Sequence, residues 1–166
     1  DIEAKQNQFH WEATDQIFKA FQFHPNLQPV IVLLSAPTWA RSNNSETTAP
    51  PIDNSDFARF AEKFANRYGE WVDYYQVWDE PNLTTAWGGQ EPRAVEYTAM
   101  LAEVYKHIHA VDANATVIAA ALAPTTETGP KNISDLLFLR DMYTAGAKDY
   151  MDAAAAKPYG FDTPPT

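Results

Sequence analysis

The sequence predicts an α/β fold in which parallel strands alternate with helices. Four apolar segments of strand length recur about every 35 to 45 residues, with an amphipathic helical segment between successive ones. Each apolar segment ends shortly before a proline, as expected where a buried strand leaves a sheet. Because the crossovers of such βαβ units are right-handed, we expect the carboxyl ends of all four strands at one rim of a parallel sheet.

The first half of the chain predicts a helix, a strand and a second helix. Thr14 or Asp15 can cap the first helix, whose apolar face is expected to contain Ile17, Phe18 and Phe21. The continuous apolar segment 30–34 predicts a strand that is buried on both faces. Ser55 can cap the second helix and Gly69 can stop it. Its apolar stripe is Phe57, Phe60, Ala61, Phe64 and Tyr68.

The second half predicts three more strands and two helices. Aromatic and β-branched residues at 74–78 indicate a second strand, and Pro92 suits the first turn of a long helix after it. That helix presents Tyr97, Leu101, Val104, Tyr105 and Ile108. A third strand at 116–123 precedes a helix capped by Ser134 with an apolar face of Leu136, Leu139 and Tyr143. Segment 151–156 is rich in alanine, which favours a helix, but its place in the alternation predicts a strand.

Two carboxylates and a proline follow the second strand directly. Strict alternation of side chains predicts that one face carries Gln76, Trp78 and Glu80 and the other Val77 and Asp79. Pro81 biases the preceding residues towards an extended conformation and ends the ladder, which would leave Glu80 at the rim.

The segment Trp78-Asp79-Glu80-Pro81-Asn82 resembles the Trp-Asn-Glu-Pro-Asn signature of retaining glycoside hydrolases with a (β/α)8 barrel, the clan of cellulases and β-xylosidases. The resemblance implies that Glu80 is the general acid/base. It places Asp79 where the family has an asparagine that binds the 2-hydroxyl of the sugar. An aspartate can accept a hydrogen bond from a hydroxyl but cannot donate one.

Aligned with this clan, residues 1–166 would form a single partial catalytic domain of TIM-barrel type, an incomplete barrel of about four strands. A complete barrel needs about 250 residues, and this chain has 166. The resemblance implies that these are the third to sixth strands. The seventh strand, where the clan keeps its catalytic nucleophile, would then lie outside the chain.

Several residues near the rim are candidates for substrate binding. Lys157-Pro158-Tyr159 resembles a segment where the family often has His-Pro-Tyr, and the lysine could bind a hydroxyl or offset the charges of the two acids. Trp39 and Trp87 could stack on sugar rings, with packing as the alternative role. The candidate substrate-binding residues are Asp79, Asn82, Trp39, Trp87, Lys157 and Tyr159.

Composition and charge exclude several classes of function. A net charge of −10 argues against nucleic acid or an anionic membrane as a partner, because both require a basic surface. The absence of cysteine excludes disulfides and thiolate chemistry. No apolar stretch approaches the roughly 18 residues of a membrane span, and residues 1–5 do not resemble a signal peptide, so no localisation is predicted.

No metal or cofactor is predicted. His107 and His109 are two residues apart in a predicted helix and therefore face different sides, unlike a metal-binding pair. Glu127, Asp152 and Asp162 are the other acids near predicted strand ends, but no strand aims them across a barrel. We therefore expect each of these acids to be a solvated loop residue rather than a nucleophile.

The function expected from the resemblance is hydrolysis of O-glycosidic bonds in β-linked saccharides by a retaining mechanism. One alternative is a non-catalytic carbohydrate-binding or interaction module that keeps the sugar-binding rim. Another is an α/β domain in which Asp79 and Glu80 hold Mg²⁺. A four-stranded piece of a barrel leaves two edges and one sheet face uncovered, so self-association is also predicted.

Overall fold

A computed structural model describes residues 2–159 as one parallel sheet with helices between its strands. The strands form a single sheet in the order β1-β2-β3-β4, and each is parallel to the next. This order matches the predicted run of βα units, and the sheet is not closed. The elements are α1 Glu12–Phe21, β1 Val30–Leu33, α2 Asn54–Tyr68, β2 Tyr74–Asp79, α3 Ala94–Val111, β3 Thr116–Leu122, α4 Asp135–Thr144 and β4 Ala153–Ala156. Candidate acid Asp162 lies outside the described residues.

The helices α2 and α3 cover one face of the sheet and form the core with it. The apolar residues predicted for α2 and α3 lie in the core or pack against it. Asp53, and not Ser55, caps α2, because its carboxylate accepts a hydrogen bond from the Ser55 backbone amide at 2.8 Å. Gly69 ends the helix as predicted. These two helices hold the central strands β2 and β3 in place from behind.

Two helices differ from their predicted faces. α1 begins at Glu12, so that Thr14 and Asp15 lie within it, and Ile17 is exposed. Asp15 instead connects α1 to α2, because its carboxylate accepts hydrogen bonds from Arg67 and Tyr68 of α2. These hydrogen bonds, mainly the one from Arg67, lower the pKa of Asp15 to about 2. In α4 the buried residues are Phe138 and Met142, whereas the predicted Leu136 and Tyr143 are exposed.

The second face of the sheet is open at β1. Val30, Val32 and Leu34 are 54%, 45% and 46% exposed, whereas Leu33 on the helix side is buried. The prediction that this strand is buried on both faces is therefore wrong. Its side chains are apolar on both sides, but only one side has a covering layer among residues 2–159.

No helix among residues 2–159 is both long and apolar enough to cross a membrane.

The loops that follow β1 and β2 contain short 3-10 helices at Thr38–Ala40 and Thr84–Ala86. Since all four strands are parallel, the loops after β1, β2, β3 and β4 leave from the same rim. The candidate site lies at this rim.

Candidate active site

The end of β2 departs from regular strand geometry. Trp78 and Glu80 have backbone φ angles of +67° and +49°, a left-handed conformation that is uncommon outside glycine. The β2–β3 register pairs Val77 with Ala119 and next pairs Asp79 with Ala121. The predicted extended conformation after Trp78 is therefore wrong for Glu80.

This backbone conformation changes which side chains share a face. The Trp78 indole turns into the core, with its ring centre 5.6 Å from that of Phe57 on α2. Asp79 lies on the side of Gln76, whose amide nitrogen donates to the Asp79 carboxylate at 3.3 Å and to the Trp78 carbonyl at 2.9 Å. The predicted alternation of Gln76, Trp78 and Glu80 against Val77 and Asp79 is wrong. Both carboxylates instead become available to one cation.

Lys157 joins the two carboxylates. It follows β4, and its Nζ donates to Asp79 Oδ2 at 2.7 Å and to Glu80 Oε1 at 2.8 Å. The side chains of Lys157, Asp79 and Glu80 are 19%, 31% and 26% exposed, so the three charged groups are partly buried and still in contact with solvent. The predicted role of the lysine in offsetting these charges agrees with this geometry.

The electrostatics of this group stabilise the ammonium form of Lys157. Partial burial lowers the pKa of Lys157, but the hydrogen bonds and charges of Asp79 and Glu80 outweigh this effect and raise it above its ordinary value. An ammonium group already lies between the two carboxylates, where the magnesium hypothesis requires the metal ion. No group of acids, histidines or cysteines suited to a metal occurs among residues 2–159.

The tryptophans divide into core and rim residues. Trp78 and Trp87 are buried and their rings pack edge to face, 5.7 Å apart between centres. Trp87 therefore lies in the core and presents no open face for a sugar ring. Trp39 is partly buried and lines a cavity of about 290 Å³ at the end of β1, together with Ser35 and Phe60.

Asn82 and Tyr159 occupy different environments. Asn82 is fully buried; its amide group donates to the carbonyls of Ala123 and Ile133 and accepts from the Ala123 amide, all within 2.9 Å. It therefore fixes the loop after β2 to the end of β3 and has no exposed surface for a ligand. Tyr159 is 56% exposed, two residues after Lys157.

The other acids and histidines do not join this group. Asp152 precedes β4 and accepts a hydrogen bond from the Val117 amide at 2.8 Å, which places it at the opposite end of the strands from Glu80. Glu127 lies in the exposed loop after β3 and accepts from Asn132. His107 contacts Glu62 on α2, and His109 contacts Asp152.

One residue that the sequence did not indicate supports the end of β2. The buried Tyr97 hydroxyl on α3 donates to the Val77 carbonyl at 2.9 Å and accepts from the Ala120 amide at 2.6 Å. It links β2 to β3 beside the irregular Trp78. Its apolar spacing predicted only a core position, and no sequence pattern distinguished its hydroxyl from that of Tyr105.

Known structures share this fold. The chain is similar to a family 39 glycoside hydrolase from the gut symbiont Bacteroides cellulosilyticus, with a TM-score of 0.73 and 21% identity. It is also similar to a monomeric β-xylosidase from Caulobacter crescentus, with values of 0.69 and 22%, and to a xylanase from Paenibacillus barcinonensis, with values of 0.61 and 13%. No protein-family model and no curated protein matches the sequence.

The matched regions extend over nearly all of this chain but only part of each similar protein. They cover 98%, 92% and 99% of this chain, and 31%, 31% and 51% of the respective relatives. The chain therefore spans about a third of the length of the first two. The fold predicted from the Trp78–Asn82 segment is confirmed: four parallel βα units of the kind found in these glycoside hydrolases.

Proposed function

We propose that this chain is part of the catalytic barrel of a retaining β-glycoside hydrolase, with Glu80 as its general acid/base. The observation that carries the proposal is the position of Glu80. It directly follows the last residue of a central strand of a parallel sheet, at the rim where enzymes of this architecture bind their ligands, and it is neither fully buried nor fully exposed. The similarity to glycoside hydrolase structures supports the same function.

The proposed reaction has two displacements. In the first, the Glu80 carboxylic acid gives its proton to the glycosidic oxygen as the bond from that oxygen to the anomeric carbon breaks. A carboxylate about 5 Å away bonds to the anomeric carbon. In the second, Glu80 takes a proton from water, and the water oxygen replaces the enzyme carboxylate at the anomeric carbon.

The nucleophile is proposed to lie outside this chain. Glu127 and Asp152 have other hydrogen-bond partners, and the carboxylate next to Glu80, that of Asp79, is held by Lys157. We therefore expect the 166-residue chain alone to give no measurable hydrolysis of aryl β-glycosides. Robust turnover by the chain alone that is lost in Glu80→Gln would contradict the external nucleophile.

A longer protein that contains this chain provides the direct test. Because two of the similar structures are a β-xylosidase and a xylanase, an aryl β-xyloside is a suitable first substrate. Glu80→Gln should lower kcat/KM about 10²- to 10⁴-fold for a poor leaving group and much less for an activated one, because kcat/KM reports the first displacement and only a poor leaving group needs a proton in that step. Glu127→Gln is the matched control and should retain activity. Equal loss for both leaving groups would exclude an acid role.

The second candidate function is a carbohydrate-binding module without catalysis. The observation that favours it is the contact of Lys157 with Glu80, which competes with the role of a free acid. This hypothesis predicts saccharide binding that survives Glu80→Gln and weakens in Trp39→Ala. Binding can be measured by calorimetry on the 166-residue chain. Trp87→Ala is a poor test because Trp87 is a core residue.

A further inference from the structure

The two positions at which this sequence departs from the glycosidase pattern are in direct contact. Asp79 stands where the family has asparagine, and Lys157 stands where it often has histidine. These residues are 78 positions apart in the sequence and lie on strand ends separated by β3. Their side chains meet at 2.7 Å, so the asparagine and histidine of the pattern are replaced together by an ion pair.

We propose that Asp79 and Lys157 form a coupled positioning pair for Glu80, in which Asp79 anchors the lysine ammonium and the ammonium holds the Glu80 side chain. The catalytic meaning of this pair rests on the proposed function, but the pair itself does not. In this proposal Asp79 binds Lys157 of the protein itself and does not bind the 2-hydroxyl of a sugar.

The hydrogen bonds of Asp79 support its role as the anchor. Its Oδ1 accepts from Gln76 and its Oδ2 accepts from Lys157, so both oxygens have partners from the protein. Gln76 is buried in the same strand and also binds the Trp78 carbonyl, which fixes its amide. A hydrogen bond from a residue of the same strand therefore fixes Asp79, whereas Glu80 lies beyond the last residue of β2.

The charges explain why the two replacements belong together. Asp79 alone would add a second carboxylate beside Glu80, and like charges so close disfavour each other. Lys157 supplies the opposite charge to both and leaves the group with one net negative charge. When Glu80 gains a proton during the proposed reaction, Asp79 still holds the ammonium in place.

A double-mutant cycle with Asp79→Asn and Lys157→Met tests the coupling. Lys157→Met leaves two adjacent carboxylates without their cation, so we expect the Tm to fall by roughly 3 to 8 °C. Asp79→Asn should lower the Tm in the wild-type chain but raise it in the Lys157→Met background, where it removes the repulsion. Equal effects of Asp79→Asn in both backgrounds would overturn the proposal.

A spectroscopic measurement separates positioning from general stability. In Glu80→Gln, whose side chain is uncharged like a protonated acid, the NMR signals of the Lys157 ammonium should remain close to those of the wild type. In the Asp79→Asn, Glu80→Gln double variant they should become those of a solvent-exposed lysine. Loss of the bound signals in Glu80→Gln alone would show that Asp79 is not the anchor.

The exposed pair of Glu103 and Lys106 is the matched control. Its atoms are 3.1 Å apart within α3, but the side chains are 41% and 55% exposed, so Glu103→Gln and Lys106→Met should be nearly additive. Neither measurement uses a substrate. If a longer protein fails to hydrolyse glycosides, the proposed function is refuted while the coupling result stands or falls by itself.

Discussion

At the scale of single residues, the backbone of Trp78 determines the chemistry of the rim. A bulky residue in the left-handed region costs on the order of 1 to 3 kcal/mol and persists only when its surroundings hold it. Phe57 and Trp87 enclose the Trp78 ring, and its indole nitrogen donates to the Ala86 carbonyl at 2.9 Å. The result is that Asp79 and Glu80 point to one ammonium instead of opposite faces.

The raised pKa of Lys157 predicts a dependence of stability on alkaline pH. Because the folded protein holds the proton more tightly than the unfolded chain, the Lys157 contribution is complete below the ordinary pKa of 10.5 and is lost as the pH rises through the folded value. The unfolding free energy should therefore fall more steeply above pH 10 in the wild type than in Lys157→Met. Urea unfolding from pH 8 to above pH 11 measures the difference.

The control for this prediction is Lys148→Met, which removes an exposed lysine. Tyrosines with raised pKa values, including the buried Tyr97, make the wild type lose stability in the same range. These tyrosines are present in both the wild type and Lys157→Met, so their contribution cancels when the two stability profiles are compared. Parallel profiles for wild type and Lys157→Met would show that the ion pair contributes nothing to folding.

The position of Glu80 could be predicted from the sequence, but the directions of its neighbours could not. A strand followed by two acids and a proline indicates a rim acid, because the proline ends the ladder. The alternation of side chains was wrong at Trp78, because no residue type in the segment predicts its positive φ. Lys157 was predicted near the acids only through the family resemblance. Its two hydrogen bonds depend on the directions of Asp79 and Glu80, which follow from that φ angle.

At the scale of elements, α3 helps to complete the sheet as well as covering it. The Tyr97 hydroxyl lies between a carbonyl of β2 and an amide of β3, where it both donates and accepts. A buried backbone group without a partner costs about as much as a lost hydrogen bond. The helix therefore stabilises the irregular strand end that carries Asp79.

Tyr97→Phe tests this role with the loss of one oxygen atom. The Val77 carbonyl and the Ala120 amide would lose the bridging hydroxyl in a buried site, so the unfolding free energy should fall by about 1 to 3 kcal/mol. Denaturant unfolding measures this change. Tyr105→Phe on the same helix is the control and should cost less, because its hydroxyl is exposed and makes only a long contact of 3.4 Å with Asp152. Equal costs would contradict the bridging role.

The elements differ in how far their faces could be predicted. In α2 polar residues interrupt the apolar ones, so that the helical period selects one stripe. This stripe is buried except for Phe60, which is partly buried and packs against the core. α4 contains four consecutive apolar residues at 136–139, so the period allows more than one face. Packing against α3 decides, and Phe138 meets the ring of Tyr97.

At the scale of the whole molecule, helices cover only one face of the sheet among residues 2–159. The helix face holds the core, whereas the other face presents Val30, Val32 and Leu34 of the β1 edge to solvent. The strand sequence is apolar on both faces, as in a sheet with two covering layers. Contiguous exposed apolar surface beside an unpaired strand edge favours association with another chain.

We therefore expect the 166-residue chain to self-associate as its concentration rises. Val32→Lys places a charge in the middle of the exposed face and should shift the protein towards monomer, because pairing would then bury an unpaired ammonium. Sedimentation velocity over a dilution series measures the distribution. Ile52→Lys adds the same charge at a 72% exposed apolar residue in the loop after β1 and should leave the association unchanged. If the wild type is monomeric at every concentration, the prediction is wrong, and the exposed apolar face of β1 does not cause self-association.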